Sequence, residues 1–341
     1  MTTRTDTIEA FLRRTGWNAT ERLPLAGDAS LRRYVRLIGG SRPALLMDAP
    51  PGTGEDVRPF LQVAGLLAER GLSVPEILAA DADAGLLVIE DMGTRMFATV
   101  ARDGTDAEVE IYVAAAEALA HLQRAPAPTD LPAYGPLMAD LAGLSLDWYA
   151  TGNRHLRPDL VRAMEDALRH PALQPPVFVH RDFHADNLIW LPERTGPARV
   201  GMLDFQDAML GPADYDLASL IHDPRRPVSD AARIAATDAY VAASGRPRAD
   251  VDAGLAIASA QRCLRILGVF ARLCLRDGKR HYPDFIPRTW AALTRDLEHP
   301  ALHDLAAIVS AALPAPTPER LDDIRARAGT LTGRPHAAEP A

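Results

Sequence analysis

The sequence has 341 residues, of which 48% are hydrophobic and 24% are charged, so it can bury the core of a globular protein of one or two domains. Its formal net charge of −8 offers no basic surface for nucleic acid, so we expect no nucleic-acid partner. Because arginines at positions 262, 265 and 272 interrupt the longest apolar stretch and the first residues lack a signal-peptide pattern, we expect a cytoplasmic protein with no membrane partner.

Short strands and helices alternate through the first 91 residues. Alternating apolar residues predict strands, and apolar residues at helical spacing predict helices. The second helix is the clearest, since its apolar stripe runs from Val57 to Ala68 and Gly71 ends it. These elements describe a small domain made of a sheet and helices. The predicted ranges are 7–17 (helix), 31–37 and 44–48 (strands), 55–70 (helix), and 74–80 and 85–90 (strands).

Helical patterns dominate after residue 91. Two cysteines, Cys263 and Cys274, fall on one face of a late helix, which indicates buried thiols rather than a disulfide or a metal site. We expect an α+β fold in three parts: a sheet-containing part over 1–91, a mostly helical part over 92–312 and a flexible tail over 313–341. The predicted helices are 108–123, 140–150, 158–169 and most of 214–312, and the predicted strands are 177–179, 188–191 and 200–203.

The octapeptide from His180 to Asn187 contains the most informative motif. It reads His-x-Asp-x-x-x-x-Asn, and a predicted hairpin then leads to Asp204 at the end of an apolar strand. Phosphoryl transfer needs a carboxylate for the attacking hydroxyl, plus an amide and a second carboxylate for the magnesium on the nucleotide phosphates. Asp182 is therefore the candidate base, and Asn187 and Asp204 are the candidate magnesium ligands.

Other interpretations of this region are weaker. A polar turn could contain the same letters by chance, but the match extends from the preceding strand through the hairpin to Asp204. We expect His180 to brace the loop through backbone hydrogen bonds. Downstream, Asp214 or Asp216 stands at the start of a helix and is expected to cap it or to brace the loop, rather than to act in catalysis.

These segments resemble the aminoglycoside phosphotransferase family, whose members are related to the protein kinases. The resemblance rests on the octapeptide, on the run Leu-Asp-Phe-Gln-Asp over 203–207 and on the helix start Tyr-Asp-Leu-Ala over 215–218. Within that family, segments 27–34, 46–51 and 276–279 further resemble the anomeric sugar kinases of peptidoglycan recycling.

The resemblance implies a bilobal protein-kinase-like fold, with a small nucleotide-binding lobe and a mostly helical lobe. It implies ATP and Mg²⁺ as cofactors and an amino sugar as the small-molecule partner. The kinases that the chain resembles phosphorylate N-acetylmuramate and N-acetylglucosamine at the C1 hydroxyl, which feeds recycled cell-wall sugars toward the UDP-sugar. Another small-alcohol kinase, acting on aminoglycosides or amino alcohols, stays open. We expect a monomer or a weak dimer.

The resemblance also implies the nucleotide-binding residues. In that family the turn over 27–33 lies above the ATP phosphates, where the small residues Gly27, Ala29 and Ser30 would let backbone amides approach phosphate oxygens. The Glu90 carbonyl and the Met92 amide would hydrogen-bond adenine. Without the resemblance, the first segment is typical of a surface turn and the second of an interlobe linker.

The sequence departs from the family at the residue that pairs with the phosphates. Lys279 is the sole lysine, and the predicted strand over 44–48 carries none. An arginine carries the same charge and can grip phosphate through two donors, so Arg33 or Arg36 on the neighbouring strand is the best candidate. The alternative is a pseudokinase that binds nucleotide without catalysis, although the complete set of two aspartates and one asparagine argues against it.

The helical part must supply the contacts to the sugar. Asp147 and Tyr149 place a carboxylate beside an aromatic face, a combination suited to sugar hydroxyls and rings. Arg262 and Arg265 belong to an arginine face on the late helix. We expect most of that face to be solvated; one or two arginines turned inward would pair with the lactyl carboxylate of N-acetylmuramate. Gln206, in the Leu-Asp-Phe-Gln-Asp run, completes the predicted substrate residues.

Overall fold

The computed structural model describes residues 3–25 and 32–332. Within these ranges the chain forms nine strands, which are β1 (Glu21–Pro24), β2 (Arg33–Ile38), β3 (Ala44–Asp48), β4 (Ile77–Asp81), β5 (Leu86–Glu90), β6 (Val177–Val179), β7 (Leu188–Trp190), β8 (Val200–Met202) and β9 (Met209–Gly211). The same ranges form twelve α-helices, which are α1 (Arg4–Arg14), α2 (Arg58–Glu69), α3 (Phe97–Val100), α4 (Thr105–Arg124), α5 (Gly135–Ala142), α6 (Arg157–Leu168), α7 (Tyr215–Ile221), α8 (Asp230–Ser244), α9 (Arg248–Leu275), α10 (Ile286–Asp296), α11 (His303–Ala312) and α12 (Pro318–Ala326).

The chain divides into two compact units. Unit 1 comprises Met1–Ala101 and Asp186–Asp207, and unit 2 comprises Arg102–Ala185 and Ala208–Ala341. The chain therefore leaves unit 1 and returns to it for one short segment. This division differs from the predicted boundary at residue 91, because the sequence analysis assigned that segment to the helical part.

Unit 1 is built on a five-stranded antiparallel sheet with the strand order β1-β2-β3-β5-β4. Helix α1 covers one face, where its buried Phe11 and Leu12 join a core cluster that includes Leu37 of β2. Burying each such side chain stabilises the fold by about 1.5–3 kcal/mol. Because successive side chains of a strand point to opposite faces, Tyr34 and Arg36 of β2 point to the other face.

Strands β7 and β8 form an antiparallel hairpin in unit 1. The Met202 N–H donates to the Ser73 carbonyl (2.8 Å), and the Trp190 N–H donates to the Arg95 carbonyl (2.8 Å). These bonds attach the hairpin to segments that lie far earlier in the chain. The hairpin thereby brings the two predicted magnesium ligands, which flank it, into unit 1.

Helix α9 forms the core of unit 2, where α5, α7, α10 and a π-helical turn over Ser145–Tyr149 pack against it. A Cβ at Gly268 would lie 2.3 Å from the Leu144 carbonyl, so this close crossing requires glycine. Helix α9 is long and apolar enough to cross a membrane, but 89% of that stretch is buried inside the protein, as expected for a core helix. Its two cysteines are buried and free, as predicted.

Helix α12 packs against α9 at the end of the described chain. Leu321 and Ile324 are 6% and 4% exposed, and the Cys274 thiol donates to the Ile324 carbonyl (3.5 Å). The structure therefore corrects the flexible tail that we expected over 313–341, as far as residue 332. The predicted helix over 140–150 is likewise corrected: the chain forms α5 and then the separate π-helical turn.

Candidate active site

One buried carboxylate holds the loop after β6 in place. The backbone N–H groups of His180 and Arg181 donate to the two oxygens of Asp216 (2.6 and 2.9 Å). Asp216 lies at the start of α7 and has no exposed surface. Arg181 adopts a positive φ of 75°, which few residues other than glycine adopt, so the loop conformation depends on this brace. The expected loop brace is confirmed and is Asp216.

Asp182 is an ionised carboxylate among positive charges. Burial alone would raise the pKa of Asp182, but the positive charge of Arg265, together with that of Arg181, lowers it below its ordinary value. The pKa of His184 is lowered to about 3, mainly by burial and also by the Arg225 guanidinium, whose Nη1 lies 3.3 Å from Nε2 of the imidazole. His184 is therefore neutral near pH 7, whereas Asp182, the predicted proton acceptor, is ionised.

The arginines of α9 are not a solvated face. Arg262 and Arg272 are 4% and 6% exposed, and Arg265 is partly buried. Arg262 Nη1 donates to the carbonyl of His222 (3.4 Å), and its charge also lowers the pKa of His184. The expectation of a mainly solvated face is wrong because α9 is the core helix of unit 2, with neighbours on every side.

Arg225 is a charged neighbour of the loop that the sequence analysis missed. It follows α7 in an irregular segment, where no periodic pattern marks its direction. Its backbone N–H donates to Oδ1 of Asp223 (2.8 Å), the residue is exposed, and its guanidinium contacts His184 of the loop after β6. Arg225 therefore adds a cation beside His184, two residues after Asp182.

Unit 1 contains a cavity of about 320 Å³, a volume within the range of small-molecule sites. Glu90 and Met92 line it where β5 ends, and Asn187 and Asp204 line it beside the hairpin. The structure thus brings together four of the residues predicted to bind a nucleotide and its metal. Gly27, Ala29 and Ser30, which were predicted to contact the phosphates, lie outside the described residues.

Asn187 and Asp204 offer oxygen ligands of the type that Mg²⁺ prefers. The Leu203 N–H donates to the Asn187 carbonyl (2.9 Å), which ties the two ends of the hairpin together. Asp204 adopts a positive φ of 59° and its side chain is exposed to the cavity. Among the described residues no cluster of three or more His, Cys, Asp or Glu side chains is present. A pair of protein ligands fits Mg²⁺ that also binds phosphates and water.

Gln206 has a different place from the predicted one in the sugar site. Its amide Nε2 donates to Oδ1 of Asp204 (2.9 Å) and to Oδ2 of Asp207 (3.2 Å). It is 8% exposed. Gln206 therefore orients the carboxylate of Asp204, the predicted magnesium ligand.

Successive side chains of β2 alternate between the two faces of the sheet, and this alternation determines which arginines line the cavity. Arg33 shares the α1 face with Val35 and Leu37 and is exposed, so its predicted role in nucleotide binding is corrected. Arg36 lines the cavity, as does Arg32, which immediately precedes the strand. Because alternate residues of a strand share a face, the sequence alone already places Arg33 on the opposite face from the other two arginines.

The predicted sugar contacts Asp147 and Tyr149 bind neighbouring segments of unit 2. Arg157 Nε donates to Oδ2 of Asp147 (3.0 Å). The Tyr149 hydroxyl donates to the Pro314 carbonyl (2.8 Å), and the Arg320 guanidinium lies 4.8 Å from the centre of the Tyr149 ring. One face of the Tyr149 ring, its hydroxyl and the Asp147 carboxylate are therefore engaged within the fold, which corrects the predicted sugar contact.

The chain matches the phosphotransferase enzyme family, APH, over residues 21–251. It is 40% identical to a Caulobacter vibrioides protein named N-acetylmuramate/N-acetylglucosamine kinase, over 90% of this chain and 96% of the relative. It is 38% identical to a Pseudomonas aeruginosa protein of the same name, over 86% of this chain and 90% of the relative.

Solved structures show the same fold at low sequence identity. The alignment with a choline/ethanolamine kinase family protein from Mesorhizobium loti covers 90% of this chain and 99% of that protein, with a TM-score of 0.61 and 21% identity. A GDP complex of an aminoglycoside 2′-phosphotransferase-IIIa mutant covers 91% of this chain and is covered to 99%, with a TM-score of 0.59 and 16% identity. The predicted α+β, protein-kinase-like fold is confirmed.

Proposed function

Because the chain belongs to the APH phosphotransferase family, we propose that it is an ATP-dependent kinase that phosphorylates N-acetylmuramate and N-acetylglucosamine. The two sugars come from the names of relatives that cover most of the chain at 40% and 38% identity. The observation that carries the proposal is the braced loop, which holds an ionised carboxylate at Asp182 a few residues before the magnesium-type ligand Asn187.

In the proposed reaction, Asp182 accepts a hydrogen bond from the sugar hydroxyl and orients its oxygen toward the γ-phosphorus of ATP. A P–O bond forms to the sugar, the bond to the β-phosphate oxygen breaks, and Asp182 takes the hydroxyl proton late in the step. Asn187 and Asp204 would hold Mg²⁺. When bound, Mg²⁺ neutralises the negative charge of the phosphate oxygens.

We assign the attacking oxygen to the C1 hydroxyl of the sugar. Support comes from segments 46–51 and 276–279, which resemble anomeric kinases. An anomeric hydroxyl is also more acidic than an ordinary alcohol, so an acceptor with the low pKa of Asp182 suits it.

The charges around Asp182 favour an anionic sugar. Arg265 lies close enough to lower the pKa of that carboxyl, and the exposed Arg225 contacts the adjacent His184. A lactyl carboxylate would be attracted to these cations, whereas a polycationic aminoglycoside would be repelled. We therefore favour the amino sugars over an aminoglycoside or amino alcohol, and we place the enzyme, as a monomer or weak dimer, in cytoplasmic cell-wall sugar recycling.

A coupled ADP-release assay with each sugar tests the proposal. The wild type is expected to release ADP when either sugar is added. Asp182→Asn removes the proton acceptor and is expected to lower kcat by roughly 10²- to 10⁴-fold. Asp159→Asn, which alters an exposed carboxylate in an ion pair with Arg162 of the same unit, is the matched control and should retain activity.

The outcomes separate the alternatives. Turnover with an amino alcohol or aminoglycoside but with neither sugar would refute the substrate assignment. Nucleotide binding without transfer to any acceptor would identify a pseudokinase. Full activity of Asp182→Asn would refute the mechanism.

A further inference from the structure

The nucleotide cavity of unit 1 needs a cation for the phosphates, and none of the described residues that line it is a lysine. The sole lysine of the chain is Lys279, which belongs to unit 2 and does not line the cavity. Among the described residues that line the cavity, the cationic side chains are Arg32 and Arg36. The acidic partner of each arginine shows at which end of the cavity that arginine lies.

Arg36 lies at the end formed by the segment after β5. Its Nε donates to Oδ2 of Asp91 (2.5 Å), and Asp91 stands between Glu90 and Met92 in the segment proposed to bind the base. Arg36 also pairs with Leu45 across the sheet, close to the β3 residue that pairs with Glu90. Arg36 is therefore neutralised at the proposed adenine end.

Arg32 lies at the opposite end of the same sheet face. Its Nε donates to Oε2 of Glu55 (2.6 Å) in the loop before α2, and both side chains are largely buried. Arg32, Tyr34 and Asp204 all line the same cavity. Arg32 is thus grouped with a proposed magnesium ligand.

We propose that Arg32, oriented by Glu55, binds the nucleotide phosphates in the role that a lysine plays in most kinases. The assignment rests on the proposed function, because it takes ATP as the ligand of this cavity. The Arg32–Glu55 ion pair corresponds to the lysine–glutamate pair of the protein kinases. Its cation comes from a residue next to β2, whereas the kinase lysine lies within β3.

The chemistry of guanidinium suits this arrangement. Arginine has five donors on a rigid plane, so Nε can bind Glu55 while other donors of the same group bind phosphate oxygens. A lysine at position 32 has a single ammonium that must serve both partners. Arg32→Lys is therefore expected to keep the charge but to bind phosphate less well than the wild type.

Calorimetric binding of ATP and of adenosine separates a phosphate contact from a base contact. Arg32→Ala is expected to weaken ATP binding by about 10- to 100-fold, the scale of one charge-assisted hydrogen bond, and to leave adenosine binding within about twofold. Arg32→Lys should fall between the wild type and Arg32→Ala. Arg36→Ala should weaken ATP and adenosine by the same factor, since it acts at the base end.

Arg33→Ala is the matched control, because this neighbouring arginine lies on the opposite face and should leave both affinities unchanged. Thermal melting of each variant shows that it is folded. Wild-type ATP affinity in Arg32→Ala, or an equal loss in Arg33→Ala, would overturn the assignment. The comparison of ATP binding with adenosine binding needs no sugar. A failure of the proposed sugar kinase activity would be seen as no ADP release, so it is distinguishable from a failure of the Arg32 assignment.

Discussion

At the scale of single residues, charge explains why the Asp182 carboxyl is ionised at neutral pH, as its proposed role of proton acceptor requires. Arg265 keeps the carboxyl ionised, and the neutral His184 does not compete for the proton. The sequence predicts Asp182 because the motif is local. It names Arg265 only as a possible partner of the sugar carboxylate, and not as the charge that acts on Asp182. It does not predict Arg225, which lies close to the loop through a turn that no local pattern encodes.

The first prediction concerns the pKa of Asp182 itself. An NMR titration of carboxyl carbons, assigned with Asp182→Asn, should give a midpoint below the ordinary aspartate value of about 3.9. Because the folded pKa is depressed, the ionised group stabilises the fold above the unfolded pKa, and this stabilisation is lost as the pH falls through the folded pKa. A midpoint above the ordinary value would contradict the charge arrangement.

A second prediction concerns Arg225 and the choice of sugar. Arg225→Ala is expected to lower kcat/KM for N-acetylmuramate by about 10- to 100-fold, because one charge-assisted contact to the lactyl carboxylate is lost. N-acetylglucosamine lacks that carboxylate and should keep its kcat/KM within about twofold, so it is the internal control. Equal losses of kcat/KM with both sugars would show that Arg225 does not recognise the lactyl carboxylate.

At the scale of elements, the period of strands and helices predicts most of the architecture but not every contact. The two-residue period of β2 separates Arg33 from Arg36, although the sequence analysis proposed either of them for the phosphates. Strands β1 and β9, of four and three residues, were not predicted. The equally short β6, β7 and β8 were predicted, because they are apolar runs that flank the motif and its hairpin. Helix α12 was missed because its apolar residues are few and its burial depends on α9.

The packing of α12 gives a prediction about stability. Ile324→Ala should lower the free energy of unfolding by roughly 2 kcal/mol or more, the cost of a cavity at a buried isoleucine. The matched control is Asp323→Ala on the same helix, which breaks an exposed ion pair with Arg327 and should cost about 1 kcal/mol or less. The measurement is urea unfolding, and equal midpoints for the two variants would show that α12 adds nothing.

At the scale of the whole molecule, the division of the chain is the least predictable feature. The motif correctly orders Asp182, Asn187 and Asp204 along the sequence. It does not reveal that the first belongs to unit 2 and the other two to unit 1. That division depends on hydrogen bonds from the hairpin to Ser73 and Arg95, and pairing between such distant segments leaves no local period in the sequence.

The most direct test of the central claim is the position of the phosphate on the product. After reaction of ATP with N-acetylmuramate, the ³¹P spectrum of the product should show coupling to the anomeric proton, and the reducing end of the sugar should be lost. N-acetylglucosamine should give the same result. A phosphate coupled to another proton, with the reducing end intact, would contradict transfer to the C1 hydroxyl.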